Sequence, residues 1–185
     1  MQLKITDFCS HWPKLALMLA PIITVILFLS RNDIGSYTWF FWLHIPILML
    51  HQIEEYIFPG GFTEFANEIT GEKISFTDTK TFYVNVVLGW GVFTLAAIVG
   101  MNLIWLPVAL LIFMGGNAAG HVGGTILLRK YAPGFFVSLL INIPFSFFII
   151  FTLLNTGLLS LFDLSLSIGT AVVLVFIMFL FLLKT

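Results

Sequence analysis

Apolar positions run along this chain in stretches of about twenty, separated by short polar or glycine- and proline-rich joints. Six stretches emerge, over residues 14–30, 37–58, 82–100, 103–128, 135–154 and 161–183. Each approaches the roughly 20 residues that a helix needs to cross a bilayer. The joints are Arg31-Asn32-Asp33, Pro59-Gly60-Gly61, Met101-Asn102, the stretch from Arg129 to Gly134, and Asn155-Thr156-Gly157. All carry turn chemistry. Pro21, Pro46, Pro107 and Pro144 fall inside or at the ends of stretches, where membrane helices tolerate them. The pattern predicts an all-α fold: one membrane domain over residues 1–185, with six transmembrane helices in a single bundle.

Composition strengthens that reading. Apolar residues make up 59% of the chain and charged residues 9%, against about 25% charged in a soluble domain. Mean hydropathy is +1.07. The formal charge of −1 offers no basic patch, which excludes nucleic acid as a partner. The single cysteine, Cys9, excludes an intrachain disulfide and a thiolate metal site. The first stretch lacks a small-residue cleavage site and is expected to be a retained helix.

Charge also sets orientation. With six spans, Lys4, Lys14, Lys73, Lys80, Arg129, Lys130 and Lys184 share one side and only Arg31 lies on the other. Basic residues favour the cytoplasm, so both termini are expected there, in a cell membrane. In the joint over 59–81, Glu64, Glu68 and Glu72 recur every four residues with Phe65 and Ile69 between them. That spacing predicts a short amphipathic surface helix, either a plain solvated loop or a lid.

The candidate chemistry lies where charge is least expected. His51, Glu54 and Glu55 sit inside the second stretch, Asn117 and His121 inside the fourth. A carboxylate at a helix centre costs about 2.5–3.5 kcal/mol on insertion scales. His51, His121 and Asn142 each lie about seven residues, roughly 10 Å, from the same interface. Asn85 starts the third stretch at a similar level. At about 100° per residue, Glu54 falls about 60° to one side of His51 and Glu55 about 40° to the other. His44 lies on that face too, about 10 Å deeper. Gly116, Gly120 and Gly124 form a small-residue ridge expected to bring the helices together.

Three motifs in this order resemble the HXXEE-domain family of small membrane proteins. They are His51-Gln52-Ile53-Glu54-Glu55, Asn117-Ala118-Ala119-Gly120-His121, and Arg129-Lys130-Tyr131-Ala132-Pro133-Gly134. The family's third motif ends in threonine, where this chain has Val137. The resemblance implies an enzyme without naming a reaction.

The residue types point to an intramembrane metallohydrolase acting on a membrane lipid or lipophilic small molecule. His51, His121 and one of Glu54 and Glu55 supply three ligands for a divalent metal, zinc ahead of iron or manganese. The other glutamate is the general base. Asn117 and Asn142 support them, with His44, Arg129 and Tyr131 as outer candidates for substrate or ligand positioning. Metal-free acid–base chemistry by the paired glutamates, or proton-coupled transport through the same cluster, are the alternatives. A di-iron oxygenase is disfavoured by four histidines in all. A peptidase of the CAAX type is disfavoured by Pro59 where such enzymes carry arginine.

Overall fold

The computed structural model describes residues 5–183 except Glu72 and Ser75, and describes side chains for all of these but residues 5–8 and Ser36. The contributions expected of Lys4, Lys184 and Glu72 lie outside the described residues. Among the described residues the fold is all-helical, with one isolated antiparallel bridge between Ile74 and Leu183. The helices are α1 (Ile5–Leu29), α2 (Ser36–Tyr56), α3 (Phe62–Ile69), α4 (Asp78–Leu103), α5 (Trp105–Leu128), α6 (Phe135–Asn155) and α7 (Leu161–Leu182). Five of them, α1, α4, α5, α6 and α7, are long and apolar enough to cross a membrane. At 21 residues α2 has a similar length, but its polar cluster lowers its apolarity.

Boundaries depart from the hydropathy pattern where polar residues interrupt it. The first helix starts at Ile5, not at 14, because Cys9 and Trp12 are buried despite the polar Asp7, Ser10 and His11 around them. Trp12 packs edge-on against Tyr56 and Trp90. The third long helix starts at Asp78, capped by the Thr77 hydroxyl, which accepts from the Lys80 N–H at 3.3 Å. Thr-Asp is a helix-start signal.

Two helices are locally wound as π-helix: Tyr83–Trp90 within α4 and Ser138–Asn142 within α6. Such wider turns recur at functional sites because they re-aim side chains. The apolar core joins Phe41 and Met49 of α2, Phe93 of α4, Leu111 and Met114 of α5 and Leu153 of α6. In contrast, α7 packs chiefly along α5, and α1 along α2. Large apolar side chains cover the outside, including Leu127, Leu161 and Phe162. An apolar exterior on this scale is a surface for lipid rather than water.

Candidate functional site

One turn of α2 places His51 and Glu55 on a common face, four residues apart, and α5 brings His121 against them. Glu55 Oε1 lies 3.3 Å from His51 Nε2 and 3.2 Å from His121 Nε2. The two imidazoles meet edge to face, with centroids 4.8 Å apart and planes at 81°. All three residues are buried, at 1%, 4% and 6% exposure for His51, Glu55 and His121. Donors about 2.0–2.1 Å from a tetrahedral zinc stand roughly 3.3 Å from one another. The two separations from Glu55 match that edge, and one donor atom from each residue lies within 4.8 Å of the others. This group fits a divalent metal with nitrogen and oxygen ligands.

The surroundings orient His51. The amide nitrogen of Asn117 lies 3.2 Å from His51 Nε2. The other ring nitrogen, Nδ1, faces Ser138 Oγ at 3.4 Å, offered by the π-wound turn of α6. An imidazole that binds a metal through one nitrogen is usually held by a hydrogen bond on the other. The Phe62 ring of α3 lies 5.5 Å from the His121 ring and covers it.

Glu54 is not part of this group, which corrects its expected place as a ligand or base. Its carboxylate turns away from the two imidazoles to the start of α6. Oε1 accepts from the Tyr131 hydroxyl at 2.6 Å and the Phe136 N–H at 2.9 Å, and Oε2 accepts from the Val137 N–H at 2.7 Å. A carboxylate there satisfies unpaired first-turn amides and the positive end of the helix dipole. Burial pushes the Tyr131 phenol above its ordinary range, and its hydrogen bond to the Glu54 carboxylate pushes it further. Val137, where the related motif has threonine, contributes through its backbone N–H, which either residue supplies.

Gly134 links the two environments. It has φ +97°, a left-handed conformation that disfavours side chains. A Cβ there would sit 2.7 Å from His51 Cε1 and 3.1 Å from His121 Cε1. The two imidazoles therefore rest on a bare stretch of backbone. The Ala132 N–H donates to Thr125 Oγ1 at 3.0 Å, tying the same loop to α5.

A cavity of about 320 Å³ opens beside the group. Helices α2, α4, α5 and α7 line it together with Phe62 and Phe76, and α6 stands behind His51. Its polar lining gathers at one end: His51, Gln52, Glu55, Tyr56, Thr81, Asn85 and Asn117. Sequence reasoning overlooked Gln52, Tyr56, Ser138 and Trp90. Gln52 had a signal, being an amide beside His51 in an apolar segment.

Other expected residues lie apart. His44 is buried between Phe93 and Phe145, with ring centroids at 4.7 and 5.7 Å, and does not reach the group. Asn142 is buried with neither side-chain atom hydrogen-bonded among the described residues. Arg129 is exposed and ends α5 in a left-handed turn at φ +51°. The ridge of Gly116, Gly120 and Gly124 has nothing within 4 Å of where a Cβ would stand, so it does not bring the helices together. That close approach falls to Gly115, where a Cβ would touch Ser146 at 3.6 Å, and to the fully buried Ala118.

Fold and site together define a helical membrane protein whose polar centre is assembled from three short motifs. The chain belongs to the family described as "Protein of unknown function with HXXEE motif", whose model matches residues 42–149. That segment runs from within α2 to within α6 and holds every residue of the His/Glu group. No curated protein and no solved structure matches the chain.

Proposed function

We propose that this protein is an intramembrane metallohydrolase acting on a lipid or lipophilic small molecule. In this reading α2 also spans the membrane, giving six spans with both termini cytoplasmic. The observation that carries it is the convergence of three buried donor atoms within 4.8 Å of one another, with the carboxylate oxygen 3.2–3.3 Å from each imidazole nitrogen. A carboxylate oxygen facing two imidazole nitrogens needs shared protons or a cation to offset its burial.

His51 Nε2, His121 Nε2 and Glu55 Oε1 hold the ion. A bound divalent ion, zinc by the donor set, would supply a water with pKa near about 7 and polarise a carbonyl. Glu55 Oε2, the carboxylate oxygen left free, would accept a proton beside the ion, a role the sequence assigned to a second glutamate. Asn117 donates to an oxygen of the reacting group, and Ser138 keeps the His51 tautomer fixed. The largely apolar cavity admits the substrate and keeps bulk water out.

A second reading uses Glu55 and the two imidazoles as a metal-free proton relay. It is favoured by His44 Nε2, Asn142 and Ser146 Oγ, buried polar atoms with no partner among the described residues. Elemental mass spectrometry of the detergent-purified protein separates the two. About one zinc, iron or manganese per chain, absent from a His51→Ala/His121→Ala variant, is the expected result. No metal, even after incubation with excess zinc, iron and manganese, overturns the hydrolase and leaves the relay.

A further inference from the structure

The polar end of the cavity contains a directed chain of hydrogen bonds. Trp90 Nε1–H donates to Gln52 Oε1 at 2.7 Å, and Gln52 Nε2 donates to Asn85 Oδ1 at 3.0 Å. Asn85 Nδ2 in turn donates to the Thr81 carbonyl at 2.9 Å and to the Tyr56 hydroxyl oxygen at 3.2 Å. The direction is not arbitrary. An indole N–H can only donate and a backbone carbonyl can only accept, so each amide is pinned by a partner with a single role. The chain ends on the Tyr56 oxygen as acceptor. The Tyr56 proton is thereby left over, with no acceptor among the described residues, in a wall that also holds His51, Glu55 and Asn117.

The rest of the cavity states what that proton awaits. Beyond the polar end its walls are apolar, among them Phe93, Leu110, Phe113 and Met114. Its volume lies at the low end of ligand pockets, about 300–1,000 Å³. The described lining contains one carboxylate, Glu55, and no lysine or arginine, so in the metal-free site an anionic head group meets repulsion and no side-chain counter-charge. Leu88 of α4 and Ile177 of α7 line the cavity and are also 42% and 50% exposed on the apolar exterior. The cavity therefore communicates with lipid between these helices. At the loop end the gap is tied by Lys80 Nζ, which donates to the Leu183 carbonyl at 2.9 Å.

We infer that the Tyr56 hydroxyl is a binding site for the neutral carbonyl oxygen of a single-chain acyl compound, an ester or amide, whose apolar chain enters between α4 and α7 and fills the cavity. This names the substrate class within the hydrolase reading and rests on it for the reaction alone; the binding site stands on the hydrogen-bond chain and the cavity.

The test uses metal-depleted protein in lipid nanodiscs, so it is independent of whether a metal is found. The probe is a long-chain methyl ketone carrying carbon-13 at the carbonyl, read by infrared spectroscopy and by competition. The expected result is a bound ketone with its carbonyl stretch moved to lower frequency. In Tyr56→Phe, which keeps the ring that packs on Trp12 and Phe62, the stretch returns to its unbonded position. Affinity falls about three- to tenfold, the loss of one neutral hydrogen bond. Asn85→Asp replaces the donating nitrogen that faces Tyr56 with an oxygen that only accepts, so it captures the Tyr56 proton and the shift shrinks. A fatty acid anion of equal length competes poorly. A ketone that does not bind, or one whose stretch is unbonded in the wild type or unchanged in Tyr56→Phe, overturns the proposal. If Tyr56→Phe does not survive solubilisation, the wild-type frequency and its change in Asn85→Asp decide.

Discussion

Glu54 and Glu55 are consecutive, share a side chain and are almost equally buried, yet α2 gives them opposite environments. Glu55 faces two imidazole nitrogens across a cavity wall and receives no backbone amide. Glu54 faces the opening turn of α6 and receives two, plus a phenol. A carboxylate surrounded by donors is a structural clamp; one facing two imidazole nitrogens needs shared protons or a cation. The step of about 100° between neighbours on a helix is enough to separate the two roles. Adjacent acidic residues in a membrane helix are thus not by themselves an acid–base pair.

The comparison breaks most completely at Gly134, which touches both environments. Gly134→Ala would force a Cβ into His51 at a φ that side chains avoid. We expect a loss of about 3 kcal/mol or more from overpacking and backbone strain, together with loss of bound metal. Unfolding in detergent and elemental analysis would show both; retention of the metal by a normally stable variant would contradict the packing described. The glutamates themselves should separate cleanly. Glu55→Gln should lower metal content from about one per chain to near zero and lower the midpoint of the metal-loaded protein, while leaving that of the metal-free protein unchanged or raised, since an uncompensated buried charge is removed. Glu54→Gln should keep the metal and cost about 2 kcal/mol, the weakening of charge-assisted hydrogen bonds. The reverse pattern would exchange their roles. The smallest effect is expected from Tyr131→Phe, about 1 kcal/mol in stability by denaturant titration, with metal content unchanged.

The long helices were legible because bilayer length and apolar runs are local properties, and ends slipped most where polar residues such as Asp7 and His11 interrupted a run. His51, Glu55 and His121 were legible because helical spacing and depth follow from counting. The role of Glu54 was not, because it depends on where the amides of Phe136 and Val137 arrive from a helix some eighty residues later. The glycine ridge misled for a similar reason: small residues permit close packing but do not say which neighbour uses it, and here Gly115 does. The chain from Trp90 to Tyr56 depends on a π-wound turn that no periodicity in the sequence announces.

The cavity wall contributed by α7 lies outside residues 42–149, and that helix rests chiefly on α5. The molecule is therefore divisible: the His/Glu group and most of the cavity are written in one contiguous stretch, and one wall of the cavity is written in another. Under the proposed function, exchanging Leu174 or Met178 for larger or smaller residues would resize the chamber while leaving His51, Glu55 and His121 untouched, so selectivity and chemistry could diverge independently.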